Sequence, residues 1–146
     1  MKPQRNNNRN VRYFSTVFIL SAFLLSACSQ IAAFQQSSVA PAAHGKVKVK
    51  KDDNRNYNIS VEVTDLAEVE KVYSKNFSYI VWMETDKGRT KNLGKLVSSK
   101  GFLSGQRKAK LETVSTIEPV KIFITAERDE NESKPGNRTV LETRKF

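Results

Sequence analysis

Tyr57-Asn58-Ile59-Ser60-Val61-Glu62-Val63 alternates apolar and polar residues without a break. A period of two places the apolar set on one side of an extended chain, so the stretch reads as a β-strand with one wet face. Just upstream, Val47 and Val49 alternate with Lys46, Lys48 and Lys50 in the same way. Between the two lies Asp52-Asp53-Asn54-Arg55-Asn56, whose short polar side chains bond their own backbone and favour a turn. Two alternating runs around a turn make an antiparallel hairpin, and that hairpin sets the fold class.

Downstream the same grammar continues. Asp65-Leu66-Ala67-Glu68 reads as a capping box that opens one or two helical turns, with Leu66, Val69 and Val72 or Tyr73 inward. Ser78-Tyr79-Ile80-Val81-Trp82-Met83 is almost continuously apolar, which suits a central strand. Asp86-Lys87-Gly88-Arg89 turns the chain, and residues 93–97 return as a strand. Residues 101–106 read as a loop. Ala109, Leu111 and Val114 resume the alternation, and residues 120–125 form a second central strand. Lys134-Pro135-Gly136 marks a turn, and Thr139-Val140-Leu141-Glu142 closes the domain. The expectation is all-β: a single immunoglobulin-like antiparallel β-sandwich of about seven strands over residues 46–146. A partly open barrel is the alternative. Trp82 is expected between the two sheets, with Ile122-Phe123-Ile124 as its partner strand.

Ahead of the domain the chain changes character. Lys2, Arg5, Arg9 and Arg12 are the only charges of the first 27 residues. Val17-Phe18-Ile19-Leu20-Ser21-Ala22-Phe23-Leu24-Leu25 follows, then Ser26, Ala27 and the single cysteine, Cys28. Basic, apolar and small-residue regions in that order define a secretory signal peptide over residues 1–27. The apolar core is about a dozen residues, short of the ~20 of a spanning helix. Residues 28–45 are small, polar and aperiodic and read as a flexible linker. Ile31 and Phe34 are placed to dip into a membrane interface.

Leu25-Ser26-Ala27-Cys28 resembles the lipobox of bacterial lipoproteins at all four positions. The resemblance implies cleavage between Ala27 and Cys28, a diacylglycerol thioether on Cys28, and acylation of the new amino terminus by a chain such as palmitate. It also implies the cell envelope as location. Ser29, where enteric inner-membrane lipoproteins carry Asp, implies the periplasmic face of the outer membrane in a host with two membranes. A second resemblance lies in Tyr79-Ile80-Val81-Trp82, Lys91-Asn92-Leu93-Gly94-Lys95-Leu96, Ile122-Phe123-Ile124-Thr125-Ala126-Glu127 and Pro135-Gly136 with Val140-Leu141. Together these resemble the extracytoplasmic β-sandwich domain of anti-sigma-K factors and its stand-alone relatives. Only a signal peptide precedes the sandwich, so this resemblance implies a fold and an envelope setting and not control of a sigma factor.

Chemistry-bearing residues are few. The one histidine, His44, falls in the expected linker, and no second His or Cys accompanies it. A lone imidazole on a flexible segment is poorly held for general-base work or for zinc. Asp129, Glu130 and Glu132 cluster without the regular ligand spacing of a calcium loop and read as a solvated turn. No catalytic residue, cofactor or metal site is expected. The precursor carries +10, and without the four basic residues of the signal 21 cations face 15 acids, leaving +6. The partners implied are the membrane through the lipid on Cys28 and either an envelope protein or an anionic envelope polymer. Nucleic acid is disfavoured because the chain is exported.

Overall fold

The structure is a computed structural model and describes residues 29–100 and 107–146. The expected signal peptide, the lipobox-like motif with Cys28 and the expected loop at residues 101–106 lie outside the described residues.

The hairpin forms as its alternation demands. The eight-residue strand Tyr57–Thr64 buries Tyr57, Ile59, Val61 and Val63 and leaves the residues between them exposed or half-buried. Its partner, His44–Lys51, buries Val47 and Val49 in the same rhythm. The turn is held by Asp52, whose carboxylate accepts the Asn56 backbone N–H at 2.8 Å. Arg55 takes a left-handed φ of 64° inside it.

Numbered along the chain, the strands are β1 Ser29–Ala33, β2 His44–Lys51, β3 Tyr57–Thr64, β4 Ser78–Glu84, β5 Thr90–Lys95, β6 Val97–Lys100, β7 Arg107–Ser115, β8 Lys121–Glu127 and β9 Thr139–Glu142. One sheet runs β1-β2-β3-β7-β6 and the other β5-β4-β8-β9. Every pairing is antiparallel. Leaving out β1, the two orders are the A-B-E-D and C′-C-F-G arrangement of an immunoglobulin-like sandwich.

Several expectations change in detail. Residues 93–97 do not make one strand: β5 ends at Lys95 and β6 starts at Val97 in the other sheet. Buried Leu96 is the crossing point, and its N–H bonds the Tyr79 carbonyl at 2.8 Å. The capping box does not form. Asp65 takes a left-handed φ of 57°, and the one short helix among the described residues, α1 Val69–Val72, begins after Glu68. Leu66 is buried as expected, and Val69 and Tyr73 pack against the core.

The third change is the linker. Its described part is folded rather than flexible. Ser29–Ala33 pairs along β2 in register, from Ser29 opposite Lys50 to Ala33 opposite Lys46. Phe34 then bridges to Thr143, and the Gln35 N–H bonds the Glu142 carbonyl at 2.8 Å. Ala40 and Ala43 are buried. Small residues show no periodicity, yet they fit wherever a neighbouring strand edge has backbone groups to satisfy, so tertiary context overrides the local pattern.

The core between the sheets joins Val47, Val49, Ile59, Val61 and Val63 to Tyr79, Val81, Met83, Ile122 and Ile124. Gly45 shows how close β2 and β3 run: a Cβ there would run into the Glu62 carbonyl oxygen. Trp82 is fully buried, and its strand pairs with β8 as expected. It is not between the sheets. Val81 and Met83 belong to that core, so Ile80 and Trp82 point the other way.

Candidate functional site

The two outer faces of the sandwich differ in kind. On the five-stranded sheet the polar partners of each alternation come together in rows. Ile31 lies opposite Lys48, Lys48 opposite Ser60, and Ser60 opposite Glu112. The next row runs Ser29, Lys50, Asn58, Val114. Among the described residues of these rows, Lys46, Lys48, Lys50, Lys108 and Lys110 therefore share the face with two acids, Glu62 and Glu112. Lys110 takes up both acids, at 2.6 Å from Glu112 and 3.8 Å from Glu62. The hydrogen bond to Glu112 is the main reason its pKa is raised. Among the described residues Lys46, Lys48 and Lys50 form no ion pair. An open groove of about 440 Å³ runs over Lys48, Lys50, Asn58, Ser60 and Val114. Ile31 is 65% exposed and Val114 58%.

The four-stranded sheet is covered instead. Residues 128–138 cross its outer face and are tied to side chains that stand on it. Asn92 donates to the carbonyls of Glu130 (2.9 Å) and Glu132 (3.1 Å). Lys95 and Ser78 both bond the Glu130 carboxylate. The Gly136 N–H donates to Glu127 at 2.7 Å. Beneath this strap the Trp82 indole N–H donates to Thr125 Oγ1 at 2.7 Å, and the Thr125 hydroxyl donates to Glu127 at 2.6 Å. Phe123 stacks on Trp82 with centroids 6.5 Å apart. A buried polar relay of this kind is stabilising only when each member is satisfied, and here each is.

No family model, curated protein or solved structure matches this chain.

The residues singled out from sequence fall as follows. His44 is the first residue of β2, exposed, with Nδ1 3.2 Å from the Ala42 carbonyl and 4.0 Å from Asp65. Asp129, Glu130 and Glu132 are not brought together around a common point. Glu130 faces Lys95, whose hydrogen bond holds its carboxyl below the usual carboxylate range. The cluster is structural: its backbone and one carboxylate fasten the strap. Among the described residues no group of three or more His, Cys, Asp or Glu could hold a metal ion. Nor is any helix there long and apolar enough to cross a membrane.

Three features escaped the sequence reading. The relay of Trp82, Thr125 and Glu127 could have been suspected from one signal, polar residues inside the apolar run of β8. The buried Tyr79 hydroxyl has no partner, and burial first, then Tyr73 and Glu70, pushes its pKa up to about 12. It borders a small cavity of about 130 Å³ beside α1. An open groove of about 430 Å³ separates β9 from residues 35–39.

Proposed function

We propose that this chain is a lipid-anchored module of a bacterial cell envelope, cut between Ala27 and Cys28, with a non-catalytic sandwich that binds or spaces a protein partner. The observation that carries the reading is the complete Leu25-Ser26-Ala27-Cys28 motif directly after an apolar core too short to span. The likeness to the extracytoplasmic domain of anti-sigma-K factors contributes only a fold and an envelope setting. A protein partner is supported by free strand edges, which an extended peptide can join by main-chain hydrogen bonds. The groove beside β9 offers one such edge, with Thr139, Val140 and Leu141 along one wall and Gln35 to Val39 along the other.

A second reading has its own observation. Lys46, Lys48 and Lys50 without ion-pair partners favour an anionic envelope polymer. A pull-down with the mature protein at low and high salt separates the two. Charge-driven capture collapses as salt rises, whereas a packed protein interface persists. The anchor is tested apart from either. Cys28→Ala is expected to abolish incorporation of a fatty-acid analogue, and undiminished labelling of the variant would refute the lipoprotein reading. In a host with two membranes, fractionation is expected to place the protein in the outer one.

A further inference from the structure

We infer that the lysine face of the five-stranded sheet lies directly against the anionic lipid surface that holds Cys28. The inference rests on the lipid-anchor reading above and adds an orientation to it. Cys28 is one peptide bond before Ser29, and Ser29 is already the first residue of β1. The chain has no slack there. At about 3.3 Å per strand residue, Ile31 sits within ~10 Å of the acylated residue. Lipid inserted at Cys28 thus holds the edge of this sheet at head-group depth.

What that edge presents fits the surface it meets. Ile31 is mostly exposed and stands beside Lys48, and Val114 is mostly exposed in the row of Ser29 and Lys50. Lys46, Lys48 and Lys50 form a ladder of cations that enter no ion pair among the described residues, Lys46 lying opposite Glu62, whose carboxylate pairs with Lys110 instead. Lysine stems can lie along apolar surface while the ammonium reaches phosphate. Acyl chains supplemented by a basic patch are a recognised two-part mode of membrane attachment. The opposite side offers no such excess: along its strap Arg128, Lys134 and Arg138 are matched by Asp129, Glu130 and Glu132.

The test uses the full mature lipoprotein in phosphatidylethanolamine vesicles with and without phosphatidylglycerol. An environment-sensitive dye is attached at Ile31→Cys, or at Lys134→Cys on the strap as the control, and quenched by brominated lipid. With phosphatidylglycerol present, quenching at position 31 is expected to exceed that at 134 several-fold. The excess should fall toward unity at high salt, without phosphatidylglycerol, and in the variant carrying Lys46→Glu, Lys48→Glu and Lys50→Glu. High salt on the unaltered ladder covers the case in which that variant folds poorly. Equal quenching at both positions, or an excess indifferent to salt and lipid charge, overturns the docked orientation. The mass of the N-terminal peptide reads the anchor separately. An acylated chain with equal quenching loses only the orientation, whereas an unacylated Cys28 removes the anchor and this inference with it.

Discussion

The outer faces of the two sheets bear on the same core yet answer to different rules. The five-stranded face is open, and its residues alternate between core and water. The four-stranded face lies under the strap, so β4 is buried on both sides from Tyr79 to Met83. One kind of strand advertises its inside and outside. The other hides the distinction, because continuous apolar sequence follows from cover on both faces. An exposed polar position on the open face should tolerate change, while the strapped face should behave as a second, smaller core.

The sharpest way to break that contrast is a pair of truncations. Trp82→Ala is expected to cost about 3–5 kcal/mol, as deletion of a buried large aromatic does. It also leaves Thr125 without its donor. Lys48→Ala is expected to stay within about 0.5 kcal/mol, as surface changes do. Thermal or urea unfolding of both variants reads the difference, and similar losses would show that the open face is not open. Native Trp82 fluorescence should be blue-shifted and move to the red on unfolding.

A smaller effect probes the strap alone. Glu127 is 6% exposed and accepts from both Thr125 and Gly136. Glu127→Ala leaves two donors unsatisfied, at about 1–3 kcal/mol. The change should appear as faster amide exchange and proteolysis in residues 128–138, with β2 and β3 still protected. Uniform loss of protection across both sheets would mean that the strap is not a separate unit.

The smallest effect is in the pH response. The carboxyl of Glu130 is held down by Lys95, so its contribution to stability is present above the unfolded pKa and lost as pH falls through the folded one. Both groups are exposed, and the effect should be slight and screened by salt. Glu130→Gln should lower the melting temperature a little at neutral pH, and the gap should close in acid. A gap that persists in acid would assign the effect to shape rather than charge.

Legibility in the sequence followed the same divide. The alternation of β2 and β3 decided which residues enter the core, and the turn at Asp52 to Asn56 formed where its side chains predicted. In β7 Ala109 and Leu111 point inward, but Val114, expected to continue them, is three residues on and falls on the exposed face. The two central strands were recognisable as central. Which of their faces met the other sheet was not, because Ile80, Val81, Trp82 and Met83 are all apolar and no periodicity separates them. Trp82 was therefore legible as buried and illegible in direction. β1 was missed because Ser29, Gln30, Ala32 and Ala33 carry almost no pattern, and the strand is made by the edge of β2 that it meets. The lysine ladder was legible as a local cluster. That it shares one face with Ile31 and Val114 needed the register.

The bridge between Phe34 and Thr143 has a bearing on the order of assembly. It joins backbone at the start of the described chain to backbone at its end, and β3 takes its second neighbour, β7, only after two intervening hairpin strands have gone to the other sheet. Contacts so distant in sequence are closed late and slowly. The meander of β1, β2 and β3 can form early, but the latch across the two sheets waits for the last residues. Until then the far edge of β3 is an unpaired template for another strand. A chain tethered by its front end would pass that interval held apart from its neighbours, which is when isolation protects it most.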